Sequence, residues 1–160
     1  MNWQAICDDP QLRDLPFQCE TDRWGHIVMS PATNRHSAYQ GLIVKWLSLW
    51  REDGIAIPEC SIQTTEGVKV ADVAWVSSDF LKRHGFANPY PEAPEIVVEI
   101  LSPSNSLAEM TEKKALYLAQ GAREFWLCDE NGAMRFFDNR DELTRSVLAS
   151  TFPGRITLPF

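Results

Sequence analysis

The chain has 160 residues, 44% of them hydrophobic and six of them tryptophan, which is enough to bury a core and excludes a disordered polypeptide. Its net charge of −7 excludes a protein that coats nucleic acid or an anionic membrane through its overall field. A nuclease is not excluded, because bound cations offset the negative charge that a metal site concentrates.

This length predicts one domain over 1–160, with an N-terminal arm over 1–19 and a C-terminal extension over 139–160. Four cysteines, Cys7, Cys19, Cys60 and Cys128, show no CxxC pair and no zinc spacing, so free thiols are expected. Residues 1–10 lack the basic start and apolar core of a signal peptide, and no apolar run approaches the ~20 residues of a membrane helix. A cytoplasmic location and no membrane partner are the expectation.

In chain order, residues 1–19 read as an arm or short helix followed by a loop. Glu20 leads through Thr-Asp-Arg-Trp to Gly25, His26–Met29 reads as a short strand, and Ser30-Pro31 ends it. Tyr39, Leu42, Ile43, Trp46, Leu47 and Trp50 recur at helical spacing and predict an amphipathic helix over 35–51, closed by Gly54. His36 lies in its first turns, where a lone histidine reads as a surface or structural residue. Two strand-like runs, 57–65 and 68–76, joined at Glu66-Gly67, read as a hairpin with Asp72 in the second strand. The polar stretch 77–94, with Lys82-Arg83-His84 and three prolines, reads as a loop with one helical turn; Lys82 and Arg83 are its candidates for phosphate contact outside the site.

Residues 95–101 read as the central strand. Glu99 interrupts it, and a buried carboxylate costs several kcal/mol unless it has a partner or a wet cleft. It either points to solvent from an edge strand or serves a site, and Asp72 repeating the pattern upstream favours a site. Ser102-Pro-Ser-Asn breaks the strand, and Ser106-Leu-Ala-Glu109 fits a capping box that starts a helix near Leu107 and ends near Gly121. Glu124–Cys128 and Ala133–Phe137 read as strands around the turn 129–132, and Arg155–Leu158 as a last strand. Strand, helix and strand over 95–128 predict a parallel crossover within a mixed sheet flanked by helices.

Two strand-borne carboxylates followed by a helix with Lys113-Lys114 are the ingredients of a Mg²⁺ nuclease site. The ion needs one or two carboxylates and keeps several waters. It activates a water and stabilises the charge on the phosphate, while a neighbouring lysine orients or helps deprotonate that water. Two acids and a lysine also occur in many structural domains, so spacing alone leaves the point open.

The chain resembles the Uma family of restriction-endonuclease-like proteins, within the PD-(D/E)XK nuclease superfamily. The resemblance runs from about Glu20 to Phe137. It rests on Glu20 before Gly25, Ile27-Val-Met-Ser-Pro31, Arg35-His36, Ala71-Asp-Val-Ala-Trp-Val76, Val98-Glu-Ile-Leu-Ser-Pro103, Glu112-Lys113 with Tyr117, and Gly121-Ala-Arg-Glu-Phe-Trp-Leu127. It implies an α/β restriction-endonuclease-like fold, a four-stranded mixed core sheet flanked by helices. Asp72 and Glu99 would bind Mg²⁺ or Mn²⁺, with the backbone carbonyl of Ile100 as a further ligand, and Glu20 and His36 match positions near the site. Ala71 stands where the motif has Pro, Leu101 where the superfamily has Lys, and Glu109 where the family has Asp; none removes a metal ligand.

The implied activity is a metal-dependent DNA endonuclease that hydrolyses phosphodiester bonds, with weak, phosphate-mediated DNA contact and a homodimer suited to cutting both strands. The alternative is a nuclease-fold protein used for binding or assembly without catalysis, which the charge and the lack of a DNA-reading module favour. On amphipathicity alone Lys114, inside the apolar arc of its helix, is the odder lysine. The family register instead selects Lys113 as catalytic and leaves Lys114 snorkelling. In this reading Lys113→Ala abolishes cleavage at little cost in stability.

Overall fold

The structure is a computed structural model and describes residues 2–159. Its elements are α1 (Trp3–Asp8), β1 (Phe17–Thr21), β2 (Ile27–Pro31), α2 (Asn34–Trp50), β3 (Gly54–Thr64), β4 (Gly67–Ser77), α3 (Ser78–His84), β5 (Ile96–Ile100), α4 (Leu107–Ala119), β6 (Glu124–Cys128), β7 (Met134–Phe137) and β8 (Glu142–Leu143).

Six strands form one mixed sheet in the order β3-β4-β5-β6-β7-β8, and β1 and β2 form a separate antiparallel pair. The crossover through α4 makes β5 and β6 parallel; the other neighbours in the large sheet are antiparallel. The four-stranded mixed core is β3 to β6, and β7 and β8 extend it.

Alternation of side chains along the strands divides the core in two. Val73, Trp75, Ile96, Val98, Ile100 and Trp126 face Tyr39, Ile43 and Leu47 of α2, together with Phe152 and Ile156 from the C-terminal extension. Ala74, Val76, Val97 and Phe125 face Phe80 of α3 and Met110 and Tyr117 of α4. Helix α4 starts with the predicted capping box, Ser106 and Glu109 each bonding the other's backbone N–H.

Three local readings change. The stretch after Ser77 opens with a seven-residue helix, α3, longer than the one helical turn expected in that loop. Ser77 caps it by accepting from Phe80 N, Lys82, Arg83 and His84 occupy its last turn, and Phe80 is buried beneath it. The basic cluster thus complements a helix C-terminus. Gly54 opens β3 and does not close α2, whose C-cap is Arg51. Arg155 makes only an isolated bridge to Ala133, so the expected last strand is absent among the described residues.

The β1–β2 hairpin is fastened to β4 by side chains. β5 pairs with β4 only at Val73–Trp75, so the N–H groups of Val68 and Val70 meet no strand on that edge. Thr21 Oγ1 accepts from Val68 N at 2.8 Å and Glu20 Oε2 from Val70 N at 2.6 Å, which satisfies both donors. A Cβ on Gly67 would lie 2.4 Å from Asp22 O, so only glycine permits this approach. Among the described residues no helix is long and apolar enough to cross a membrane.

Candidate active site

The site lies where β4 and β5 part. Their last paired residues are Val73 and Val98, and the same antiparallel register carried one step further sets Asp72 against Glu99. Both are 2% exposed. Like charges in that relation repel and demand a cation or donors. Asp72 Oδ2 accepts from Ile100 N at 2.7 Å and lies 3.2 Å from His36 Nε2. Glu99 Oε1 accepts from Tyr117 OH at 2.8 Å and from Lys113 Nζ at 3.1 Å. Lys113 Nζ also donates to Glu20 Oε2 at 2.9 Å. Glu20, His36, Asp72, Glu99 and Lys113, from β1, α2, β4, β5 and α4, line one cleft of about 860 Å³, and Tyr117 lies behind it.

Burial pushes the Glu99 carboxyl well above the usual carboxylate range, Lys113 opposes that, and Asp72 and Glu20 add to it. Burial pulls the Lys113 ammonium down, but the charges of Glu99 and Glu20 together outweigh it and its pKa is raised. These directions compete, since a neutral Glu99 would remove part of what holds the proton on Lys113. An ammonium seated between two carboxylates favours the ion pair, so Lys113 carries its charge. His36 is also raised: its hydrogen bond to Asp72 is the main cause, burial opposes it, and the charges of Asp72 and Glu59 reinforce it. Burial and the neighbouring carboxylates raise Tyr117, which stays a phenol and donates to Glu99.

A second buried acid shows what a purely structural carboxylate looks like here. Glu124, 2% exposed, accepts from Trp126 Nε1, Ser146 Oγ, Val147 N and Leu148 N, so both of its oxygens are used. Among the described residues, Asp72 Oδ1 and Glu99 Oε2 take no protein hydrogen bond, although both residues line the cleft. In that respect the two cleft carboxylates differ from a structural tie.

His36, which reads locally as a surface or structural residue, touches Asp72 directly, and its Nδ1 is buried without a partner. Lys114 turns away from the carboxylates, with Nζ 4.4 Å from the centre of the Phe137 ring. Ile100 contributes its N–H to Asp72. Lys82 and Arg83 do not line the cleft; Lys82 lies 3.5 Å from Asp79 and Arg83 2.7 Å from Glu92. Their place outside the cleft agrees with the expectation of phosphate contact away from the site.

Sequence reasoning missed a clamp behind Asp72. Gln40 Nε2 donates to Asp72 O at 2.8 Å and to Glu59 Oε1 at 2.7 Å, and Gln18 Nε2 donates to Glu59 Oε2 at 3.0 Å. Glu59 has a φ of 54° inside β3, a left-handed conformation that costs a non-glycine residue about 1 kcal/mol or more. Nothing in the local sequence signals it. Tyr117 was a landmark of the family pattern, without an assigned contact.

Mg²⁺ takes one or two carboxylates and completes its shell with water and substrate oxygen. Two unshared carboxylate oxygens facing a cleft fit that demand. Among the described residues no group of three or more His, Cys, Asp or Glu converges as an all-protein cage.

A family model described as "Putative restriction endonuclease", Uma2, matches residues 12–155. The chain belongs to the Uma2 family. A crystal structure described as a "putative nuclease belonging to DUF820" from Anabaena variabilis matches with a TM-score of 0.68 at 23% identity, over 78% of this chain and 73% of that one. That likeness shows the fold shared between the Uma2 chain and its neighbour. A cryo-electron microscopy structure of a DrdV–DNA complex is more distant, with a TM-score of 0.43 at 14% identity, over 68% of this chain and 9% of that one. No curated protein matches.

Proposed function

We propose that this Uma2 chain is a Mg²⁺- or Mn²⁺-dependent endodeoxyribonuclease that hydrolyses phosphodiester bonds, with Asp72, Glu99 and the carbonyl of Ile100 holding the metal. The observation that carries the reading is the pair of unshared oxygens, Asp72 Oδ1 and Glu99 Oε2, on two buried carboxylates beside a half-buried lysine. The ion would supply Lewis acidity to the phosphate and lower the pKa of a bound water. The chain's own residues supply orientation and charge. Ile100 N, His36 and Gln40 fix Asp72, and Tyr117 fixes Glu99. Glu20 helps hold Lys113, whose raised pKa makes it a charged donor toward a phosphate oxygen or water and a poor general base.

The test is incubation of supercoiled plasmid and labelled oligonucleotides with Mg²⁺ or Mn²⁺, with metal binding followed by calorimetry. Wild type is expected to cut only with metal, and Asp72→Asn and Glu99→Gln to lose at least roughly 100-fold in rate. Equal cutting by wild type and Asp72→Asn would refute the assignment.

One observation favours the non-catalytic reading: eight carboxylate side chains line the cleft against three of Lys and Arg, a poor surface for a duplex. Metal binding that depends on Asp72, with no cleavage of any DNA, would select it.

A further inference from the structure

We infer that Trp24, at the tip of the β1–β2 hairpin, is a stacking platform for an unpaired base, so that the substrate is a DNA strand with unpaired bases rather than an intact duplex. The inference rests on the nuclease reading above and adds the substrate class to it.

Trp24 is 74% exposed and lines the same cleft as Asp72, Glu99 and Lys113. It is not a stray apolar residue, since Val28 and Met29 of the same hairpin line the cleft too and are 44% and 46% exposed. The turn that carries it is built to be stiff. Asp22 Oδ1 accepts from Trp24 N at 2.9 Å and from His26 N at 2.8 Å, Asp22 Oδ2 lies 2.9 Å from His26 Nδ1, and Asp22 O accepts from Gly25 N. Gly25 adopts a φ of 83° to close it. Arg23 is tied to Glu66 at 2.7 Å, with its guanidinium carbon 5.6 Å from the centre of the Trp24 ring. The same hairpin carries Glu20, which holds Lys113, so the indole is rigidly referenced to the carboxylates.

Charge selects the ligand. Duplex affinity comes mainly from cations on phosphates, and this cleft has few cations and many acids. Base stacking on an aromatic ring needs no net positive charge and accepts any base, because every base has a π-face. A single strand or flap offers such faces beside its phosphates; a closed duplex does not.

The experiment is fluorescence anisotropy with a fluorescein-labelled oligothymidylate of about 12 nucleotides, the same strand annealed as a blunt duplex, and versions carrying one tetrahydrofuran abasic site at successive positions. Ca²⁺ replaces Mg²⁺ so that binding is read without turnover, and plasmid cutting in Mn²⁺ is scored on the same proteins. Wild type is expected to bind the single strand more tightly than the duplex, and Trp24→Ala to lose roughly tenfold for the single strand. Trp24→Phe should recover most of that loss. One abasic position should reproduce the loss in wild type and add nothing in Trp24→Ala. Unchanged affinity of Trp24→Ala overturns the inference, as does the absence of detectable single-strand binding by wild type. So does a change of oligomeric state in Trp24→Ala with DNA affinity intact, which would make the hairpin a protein interface. Wild-type cutting that persists in Mn²⁺ leaves the nuclease reading standing in each case. Stacking with no metal-dependent cutting would instead sink the nuclease reading alone.

Discussion

Lys113→Ala removes the single cation bridging two buried carboxylates, and it should be costly. Lys113 Nζ lies 2.9 Å from Glu20 and 3.1 Å from Glu99, and the three side chains are 14%, 10% and 3% exposed. At an effective dielectric of about 20, each contact is worth about 5 kcal/mol of attraction. Desolvation returns several kcal/mol per ion, and breaking a buried pair typically costs about 3–5 kcal/mol net. We therefore expect about 3 kcal/mol of lost stability, or roughly 6–12 °C in Tm for a chain of this size. This revises the sequence-based expectation of a small cost, because the sequence did not show the contacts of Lys113 with Glu20 and Glu99. The assay is urea denaturation in EDTA across pH, repeated with Mg²⁺. Glu99 binds its proton more tightly folded than unfolded, so its contribution is full below the unfolded pKa of about 4.5 and is lost as pH rises through the raised folded value. Lys113 opposes that rise in Glu99, so removing it deepens the loss, and the deficit should be larger near pH 8 than near pH 5. Mg²⁺ should then restore part of it, about 2.7 kcal/mol at a hundredfold excess over Kd. A loss below about 0.5 kcal/mol that neither pH nor Mg²⁺ changes would refute the reasoning.

Glu124→Ala should cost about 3 kcal/mol or more by urea denaturation, independent of Mg²⁺, because it orphans the buried donors of Trp126, Ser146, Val147 and Leu148. Lys114→Leu should leave cutting intact and shift stability by no more than about 1 kcal/mol, since the contact over Phe137 is exchanged for an apolar one; loss of cutting would show that Lys114, not Lys113, serves the site. Burial pushes the Cys60 and Cys128 thiols up to about 12, so a thiol reagent should label Cys7 and Cys19 in the native protein and reach Cys60 and Cys128 only on unfolding. Peptide mapping after brief labelling checks this.

Much of the frame was legible along the chain. The helix over 35–51 announced itself by periodicity, α4 by its capping box, the β3–β4 hairpin by Glu66-Gly67, and the parallel pair by strand, helix and strand over 95–128. Helix α3 did not, because Lys82, Arg83 and His84 look like solvated charge until the burial of Phe80 is known. The candidate residues were named largely through a resemblance in order and spacing; their contacts were not.

What the sequence determined by itself is local and periodic: most of the elements, the capping box of α4, the carboxylates at Asp72 and Glu99, and membership of a family pattern. These follow from hydrogen bonding and side-chain alternation over a few residues. Only the tertiary structure decided who meets whom. Lys113 reaches Glu20 across 93 residues of sequence, while its neighbour Lys114, one step around the helix, lies over Phe137. His36 leaves its apparent surface role because α2 packs its first turns against the middle of β4. Glu59 takes a strained backbone opposite Asp72, held by two glutamines from β1 and α2. The physical reason is that β4 runs on after β5 has ended its ladder. That mismatch in strand pairing opens the cleft, and no window of sequence contains both strands' partners at once.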